Sequence, residues 1–158
     1  MQKDFLLIKQ LLDACSYLHR EDYIHLDIKP PNVLMQSQSP VFVKLGDIEG
    51  ARLFTQVKTV KQFTYLYAAP EVLRGETLDM RADIWSIGVM ALELMVLNRL
   101  PKQGEVSRWL MDIRGCQQTL HNPTTRSFIS SLLETKPQKR LTADDALSHT
   151  FWQLQESD

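Results

Sequence analysis

The segment Arg81–Leu97 constrains the fold more than any other part of this sequence. Its apolar side chains would cover every side of a helix, and they are Ile84, Trp85, Ile87, Val89, Met90, Leu92, Leu94, Met95 and Leu97. A helix that is apolar all round lies in the centre of a domain. The segment also contains Glu93 and is shorter than the ~20 apolar residues that a helix needs to cross a bilayer. The sequence therefore predicts a buried central helix rather than a membrane span.

Shorter elements are predicted around that helix. Apolar residues recur at helical spacing from Lys3 to Arg20, which predicts an amphipathic helix. The other predicted elements are the strands Val33–Met35 and Val41–Leu45, joined by the polar turn Gln36–Pro40, and the helices Glu105–Ile113, Thr125–Glu134 and Thr142–His149. The predicted fold class is mainly α, a helical bundle around a central buried helix with a small β-hairpin element, in one domain over residues 1–158.

Length, charge and cysteine content exclude several classes of protein. The chain has 158 residues, 44% of them hydrophobic, which is typical of one globular domain and not of a disordered chain. A net charge of −1 gives no general attraction to nucleic acid or to anionic membranes. Cys15 and Cys116 form no Cys-x-x-Cys pair, so they predict neither a disulfide framework nor a zinc site. No signal peptide is recognisable, and we expect a soluble, cytoplasmic protein without nucleic-acid or membrane partners.

The segment from His25 to Asn32 carries the most chemical information. Asp27, Lys29 and Asn32 bring a carboxylate, an ammonium and an amide into one short stretch. A carboxylate can orient a hydroxyl and accept its proton, an ammonium can neutralise charge on a phosphate, and an amide oxygen can bind a hard metal ion. Asp47, just beyond the predicted hairpin, can supply a second metal ligand. This set suits phosphoryl transfer, although Asp27 and Asn32 taken alone would also suit a turn.

The same segment resembles the catalytic loop of eukaryotic protein kinases, H-R-D-x-K-x-x-N. Further kinase-like motifs follow in the family's order, and they are Lys44-Leu45-Gly46-Asp47-Ile48-Glu49, Ala69-Pro70-Glu71, Asp83-Ile84-Trp85-Ser86-Ile87-Gly88 and Lys139-Arg140-Leu141-Thr142. All of them belong to the C-terminal lobe in that family. The chain has six glycines, and none of them forms a Gly-rich phosphate loop. The resemblance therefore implies a partial protein kinase domain over residues 1–158, the C-terminal lobe, with an N-lobe that is missing or separately supplied.

The resemblance assigns five residues to ATP, magnesium or the substrate hydroxyl. Asp27 would be the catalytic base that orients the hydroxyl. Lys29 would contact the γ-phosphate of ATP. Asn32 and Asp47 would bind the Mg²⁺ ions. Leu34 would form part of the floor under the adenine ring.

Five more residues would support that site. Thr64 aligns with the substrate-loop threonine of Ser/Thr kinases. His25 would belong to the hydrophobic spine that joins the two lobes of such a domain. Asp83 would hold the backbone of the catalytic loop from below. Glu71 and Arg140 would form a buried ion pair that fixes the activation segment.

Three positions depart from the kinase pattern. Leu26 replaces the arginine that normally pairs with a phosphorylated activation loop, which puts that kind of control in doubt. Glu49 occupies the glycine position of the D-F-G turn, and an alternative alignment would use Gly50 there. Phe63 replaces the glycine usually found before the substrate-loop threonine.

Two functions follow from these matches and departures. The leading prediction is a Ser/Thr protein kinase that transfers the γ-phosphate of Mg-ATP to Ser or Thr hydroxyls of protein substrates. The alternative is a catalytically weak or inactive, pseudokinase-like binding module, which Leu26, Glu49 and the lack of a Gly-rich loop favour. Small-molecule kinases of the aminoglycoside type share an H-x-D-type loop, but the Ala69-Pro70-Glu71 and Asp83–Gly88 segments argue against them.

Overall fold

A computed structural model describes residues 2–57, 60, 63–96 and 106–155. Its centre is helix α3, Ala82–Met95, in which every residue from Ala82 to Glu93 is buried. The predicted central helix is therefore confirmed. The helix begins at Ala82, one residue after the predicted start, and Arg81 is its N-cap residue. The predicted end at Leu97 lies outside the described residues.

Further helices of the described part surround α3. They are α1 (Gln2–Arg20), α2 (Pro70–Leu73), α4 (Val106–Gln118), α5 (Pro123–Leu132), α6 (Ala143–Leu147) and α7 (Phe151–Gln155). The mainly helical fold class is thus confirmed. The sequence did not predict α2 and α7, because helices this short contain too little apolar periodicity to be recognised.

Close contact between α3 and α5 depends on Gly88. A Cβ atom at this position would lie 2.9 Å from side-chain atoms of both Leu132 and Leu133. Because such a separation is too short for two carbon atoms, a larger residue would push the two helices apart. The glycine in the middle of α3 therefore serves helix packing.

The strands form two small antiparallel sheets. Strands β2 (Val33–Gln38) and β3 (Val41–Leu45) pair as the predicted hairpin, although β2 runs three residues beyond its predicted end at Met35, with an irregularity in the register between Met35 and Ser37. The second sheet pairs β1 (Tyr23–Ile24) with β4 (Arg52–Leu53) and was not predicted. Strands of two residues show no alternation that a sequence pattern could reveal.

Helix α1 holds the hairpin against the helical core. The Gln10 side-chain amide donates to the Val41 carbonyl and accepts from the Val43 amide, both at 2.9 Å. Val43 and Leu45 are buried on the inner face of the hairpin, whereas Leu34 and Phe42, on its outer face, remain about half exposed. The hairpin therefore presents an apolar face that no described residue covers.

Cap and aromatic contacts fix the C-terminal helices. A capping box begins α6, since the Thr142 side chain accepts from the Asp145 amide and Asp145 accepts from the Thr142 amide. Phe128 of α5 stacks on Phe151 of α7 with ring centroids 4.5 Å apart. Among the described helices, none combines the length and the hydropathy that a membrane span requires.

Candidate active site

The backbone of the segment His25–Asn32 is anchored from beneath by Asp83 in the first turn of α3. The buried Asp83 carboxylate accepts hydrogen bonds from the backbone amides of His25 and Leu26, each at 2.8 Å. Leu26 adopts a φ of 67°, a left-handed conformation that is unfavourable for a branched side chain. The two bonds to Asp83 hold the segment in this strained turn.

His25 connects the same segment to the end of β3. Its Nε2 atom lies 2.9 Å from the Gly46 carbonyl, and its Nδ1 atom accepts from the Asp27 amide at 3.3 Å. A carbonyl oxygen can only accept, so Nε2 carries the proton and the imidazole is neutral. The ring is buried and thereby fixes Asp27 relative to the turn that begins at Gly46.

Four of the predicted site residues meet around the Asp27 carboxylate. Lys29 Nζ lies 2.6 Å from Asp27 Oδ2, and the Thr64 hydroxyl donates to Asp27 Oδ1 at 2.8 Å. Lys29 Nζ also donates to Thr64 Oγ1 at 3.0 Å. Asn32 Nδ2 donates to the Asp27 carbonyl at 2.8 Å and to Asp27 Oδ2 at 3.3 Å. Thr64 is 37 residues from Asp27 along the chain, so this arrangement is a product of the fold.

These contacts set the charge of Asp27. Partial burial by itself would raise the pKa of the Asp27 carboxyl, but hydrogen bonds from Lys29, Thr64 and Asn32 and the charge of Lys29 more than offset it. The pKa of Asp27 therefore lies below its ordinary value. Asp27 is therefore ionised at neutral pH and offers its oxygens as hydrogen-bond acceptors.

Asp47 takes no part in this network but lines the same cavity. It precedes the 3-10 turn Ile48–Gly50 and has φ 57° and ψ 36°, a left-handed conformation that aspartate tolerates better than most residues. Its side chain is exposed and has no hydrogen-bond partner among the described residues. Together with Asp27 and Lys29 it lines a cavity of about 570 Å³.

The side-chain oxygens of Asn32 and Asp47 suit a hard metal ion, although only Asp47 of the two lines this cavity. Asn32 engages Asp27 through Nδ2, which leaves its amide oxygen without a competing bond. Asp47 offers a carboxylate without a partner among the described residues. Carboxylate and amide oxygens are ligands that Mg²⁺ prefers, so the residues present fit the predicted magnesium site.

Glu71 and Arg140 form a bidentate buried ion pair. Arg140 Nη1 and Nη2 donate to the two Glu71 carboxylate oxygens at 2.7 and 2.9 Å. Both side chains are at most 1% exposed. Arg140 also donates to the backbone carbonyls of Glu134 and Arg81, both at 2.8 Å, and stacks over the Trp85 ring. The pair therefore joins α2, the start of α3 and the turn before α6.

A second buried polar contact escaped the sequence reasoning. The Tyr67 hydroxyl donates to Glu93 Oε2 at 2.8 Å, and Ser86 Oγ donates to the Tyr67 carbonyl at 2.7 Å. Burial and the Glu93 carboxylate raise the pKa of Tyr67, so the phenol stays protonated and remains a donor. Glu93 as the one acidic residue in the interior of an apolar helix was the available signal. These contacts hold the 3-10 turn Tyr65–Tyr67 against α3.

The departures from the kinase pattern have a moderate structural effect. Glu49 lies in the Ile48–Gly50 turn and is not among the residues with positive φ. The backbone therefore does not require glycine at this position, and glutamate does not strain the turn. Leu26 and Phe63 line the cavity next to Asp27, with Arg52 nearby. Arg52 donates to the Glu49 and Ala51 carbonyls at 3.1 and 3.4 Å.

Leu34 and Ile48 are two exposed apolar residues on either side of Asp47 along the chain. Leu34 is 49% exposed on β2 and Ile48 is 54% exposed in the turn after Asp47. A Cβ atom at Gly46 would lie 3.0 Å from Leu34 Cδ1, so the glycine allows Leu34 to pack over this turn. The position predicted under adenine is therefore an open apolar surface beside Asn32 and Asp47 along the chain.

Comparisons with known proteins support the motif assignment. The sequence profile of the protein kinase domain matches residues 3–152. Serine/threonine-protein kinase 17A of Oryctolagus cuniculus is 31% identical over 162 residues, covering 96% of this chain and 40% of that protein. Serine/threonine-protein kinase atg1 of Dictyostelium discoideum is 27% identical over 164 residues, covering 99% of this chain and 24% of that protein. Serine/threonine-protein kinase RAD53 of Saccharomyces cerevisiae is 30% identical over 166 residues, covering 90% of this chain and 20% of that protein.

The chain thus spans from a fifth to two fifths of the length of these relatives. The family match, in contrast, extends over nearly the whole chain. The segments that carried the resemblance also meet at one cavity or at the contacts that support it. This chain therefore belongs to the protein kinase domain family.

Proposed function

We propose that this chain is the catalytic lobe of a serine/threonine protein kinase, which transfers the γ-phosphoryl group of Mg-ATP to Ser or Thr hydroxyls of protein substrates. One observation carries the proposal. The Thr64 hydroxyl donates to Asp27 Oδ1 at 2.8 Å, while Lys29 Nζ contacts both Asp27 and Thr64. This is the environment that an attacking hydroxyl needs, with a carboxylate acceptor on one side and a cation on the other.

The roles of Asp27 and Lys29 follow from these contacts. Asp27 orients the substrate hydroxyl and accepts its proton as the new O–P bond forms. Its lowered pKa keeps it ionised beforehand, so it acts late, when the hydroxyl has already become acidic. Lys29 lies where it can neutralise charge on the transferred phosphoryl group. Asn32 holds Asp27 through two hydrogen bonds.

Asn32 and Asp47 would hold the magnesium ions in this proposal. When bound, magnesium supplies charge neutralisation on the phosphate oxygens of ATP. The protein contributes the exposed Asp47 carboxylate and the amide oxygen of Asn32, whose segments are joined by the bond from the Gly46 amide to the Asn32 carbonyl at 2.7 Å. The assignment of Asn32 and Asp47 to magnesium is supported by the preference of this ion for carboxylate and amide oxygens.

The apolar face around Leu34 and Ile48 supports a role in binding a second lobe and the adenine ring. Both side chains are about half exposed, and exposed apolar side chains that lie near a polar site suit an interface or a ligand site. We infer that the N-lobe of a kinase domain covers this face. The names of the relatives support serine and threonine, rather than tyrosine, as acceptors.

The alternative function is a binding module without catalysis. It is favoured by Glu49, whose carboxylate follows Asp47 closely and would repel ATP phosphates. Glu49 is exposed, so solvent screens much of that repulsion, and the intact set of Asp27, Lys29, Asn32 and Asp47 favours catalysis.

A transfer assay distinguishes the two functions. The chain, fused behind the N-lobe of a serine/threonine kinase, is incubated with γ-labelled ATP, Mg²⁺ and a mixture of Ser-, Thr- and Tyr-containing peptides. We expect label on Ser and Thr, loss of labelling in Asp47→Asn and unchanged labelling in Lys139→Ala. If ATP binds to the fusion and no label is transferred, the chain is a binding module. Equal labelling by Asp47→Asn would contradict the proposed metal site.

A further inference from the structure

Three potential metal ligands meet next to the backbone of the segment His25–Asn32, at the Asp83 side chain that anchors it. They are Cys15 and His19 of α1 and Asp83 of α3, whose ligand atoms all lie within 4.8 Å of one another. Cys15 and His19 are four residues apart on a helix, so their side chains lie on the same face. Asp83 reaches that face from the neighbouring central helix, and its Oδ2 atom lies 2.9 Å from His19 Nε2.

From this cluster we infer that the chain contains a zinc site that joins α1 to α3. Thiolate, imidazole and carboxylate are the ligand types that zinc takes in proteins, whereas magnesium prefers oxygen ligands alone. The ligands of a tetrahedral zinc ion lie roughly 3.3–3.7 Å apart, as bond lengths of ~2.0–2.3 Å require. Shifts of about 1 Å therefore convert the observed cluster into three zinc ligands.

The charge balance around Asp83 independently favours a cation here. Asp83 is buried, and its only ion-pair partner in the described part of the chain is His19, which is charged only when protonated. Its other contacts are the neutral backbone amides of His25 and Leu26. A buried carboxylate without a permanent counter-charge is costly, and a divalent ion supplies that charge.

A path to the site is also present. His19 is 13% exposed, and it lines a cleft of about 380 Å³ together with Ser16, Arg20 and Asp144. The cleft gives an ion access to the His19 side of the cluster and can supply a water molecule as the fourth ligand. The backbone amides that bind Asp83 would hold this ligand in position, as outer-shell hydrogen bonds do in zinc sites.

Metal binding replaces two protons in the cluster. The Cys15 thiol releases its proton to solvent and binds as the thiolate. His19 Nε2 now donates to Asp83, since a carboxylate only accepts. On binding, Nε2 gives up its proton and Nδ1 takes one, so the ring stays neutral. One proton is therefore released for each zinc ion bound.

The sequence did not predict this site, because the zinc patterns that a sequence reveals most readily contain closely spaced cysteines and this chain has none. The signal was the Cys15-x-x-x-His19 spacing on a helix, and the third ligand became visible only when the fold brought α3 against it. The inference does not depend on the proposed phosphoryl transfer, because metal binding is measured directly.

Cobalt(II) titration of the full chain, followed by zinc displacement, tests the site. We expect a thiolate-to-cobalt charge-transfer band and visible ligand-field bands in the wild-type chain, both removed by one equivalent of zinc. Cys116→Ser is the matched control and should retain the bands, while Cys15→Ser should lose the charge-transfer band. His19→Gln, which changes a side chain at the edge of the core, should weaken cobalt binding more than ~100-fold, beyond the ~10–100-fold loss known for outer-shell partners.

Circular dichroism and thermal midpoints of the metal-free variants identify any that fail to fold, and His19→Gln then decides the test if Cys15→Ser is one of them. The inference is overturned if the wild-type chain shows no charge-transfer band, if the band follows Cys116, or if folded Cys15→Ser or His19→Gln binds cobalt as the wild-type chain does.

Discussion

The Glu71–Arg140 and Asp27–Lys29 ion pairs have similar lengths and different surroundings. Their closest N–O distances are 2.7 and 2.6 Å. The Arg140 and Glu71 side chains are 0% and 1% exposed, whereas the Lys29 and Asp27 side chains are 24% and 28% exposed. Arg140 also donates to two backbone carbonyls, whereas Lys29 and Asp27 both bind the hydroxyl of Thr64.

This difference separates stability from chemistry. A buried pair that loses one partner strands a charge in the core, so it fixes the fold and cannot change partners. A partly exposed pair contributes little to stability because water screens it, and it can exchange the Thr64 hydroxyl for a substrate hydroxyl. The comparison therefore predicts large losses of stability at one pair and large losses of activity at the other.

The largest effect on stability is expected from Arg140→Ala. The substitution strands the buried Glu71 carboxylate and should lower the free energy of unfolding by ~3–5 kcal/mol. Lys139→Ala, at the neighbouring position, should change it by less than ~0.5 kcal/mol. Urea denaturation of both variants measures the difference, and equal midpoints would show that the pair does not stabilise the fold.

Tyr67→Phe should have the next largest effect. It removes the hydroxyl that donates to the buried Glu93 carboxylate, which should cost ~1–3 kcal/mol of unfolding free energy. Tyr17→Phe, at an exposed tyrosine, is the matched control and should cost less than ~0.5 kcal/mol. If both variants unfold at the same denaturant concentration, the Tyr67–Glu93 contact does not stabilise the packing of the turn Tyr65–Tyr67 on α3.

A smaller effect concerns the titration of Asp27. Its pKa is lowered in the fold, so its stabilising contribution is present above the ordinary value of ~3.9 and is lost as the pH falls through the lower, folded-state pKa. Lys29→Met should raise the pKa of Asp27, and Lys44→Met on the exposed side of β3 should not. Carbon-detected NMR titration of the carboxyl groups measures both. An unchanged Asp27 pKa in Lys29→Met would mean that the two side chains do not interact in solution.

The smallest effect is expected at Glu49, and it separates charge from backbone conformation. Since φ at this position is ordinary, Glu49→Gln and Glu49→Gly should lower the KM for ATP of the active fusion by similar factors, up to about fivefold for a screened charge. Glu21→Gln, at an exposed and distant position, should leave KM unchanged. Faster turnover in Glu49→Gly alone would mean that the backbone of this turn needs glycine after all. Slower turnover in either Glu49 variant would mean that the glutamate binds a magnesium ion.

The sequence predicted those features whose residues are close together or strongly periodic. The buried helix α3 was visible because its apolar side chains cover all sides, and Asp27, Lys29 and Asn32 were visible because they share one segment. The Glu71–Arg140 pair could be predicted only through the resemblance to a family, because nothing in the spacing of two distant charged residues indicates that they meet.

Contacts that depend on tertiary packing were missed. The Tyr67–Glu93 bond joins residues 26 positions apart, and the β1–β4 pairing involves strands too short for a pattern. The Cys15–His19–Asp83 cluster arises where α1 crosses α3. In each case the residue types are common in any sequence, and the contact exists only because tertiary packing brings two distant elements together.

The most direct test of the contrast between the two ion pairs is Asp27→Asn, measured for both stability and phosphoryl transfer in the active fusion. An amide has nearly the same shape as the carboxylate and cannot accept the substrate proton. We predict a transfer rate lower by ~10²–10⁴-fold and a free energy of unfolding within ~0.5 kcal/mol of the parent protein. An unchanged transfer rate, or a loss of stability as large as that of Arg140→Ala, would contradict the division of roles between these two pairs.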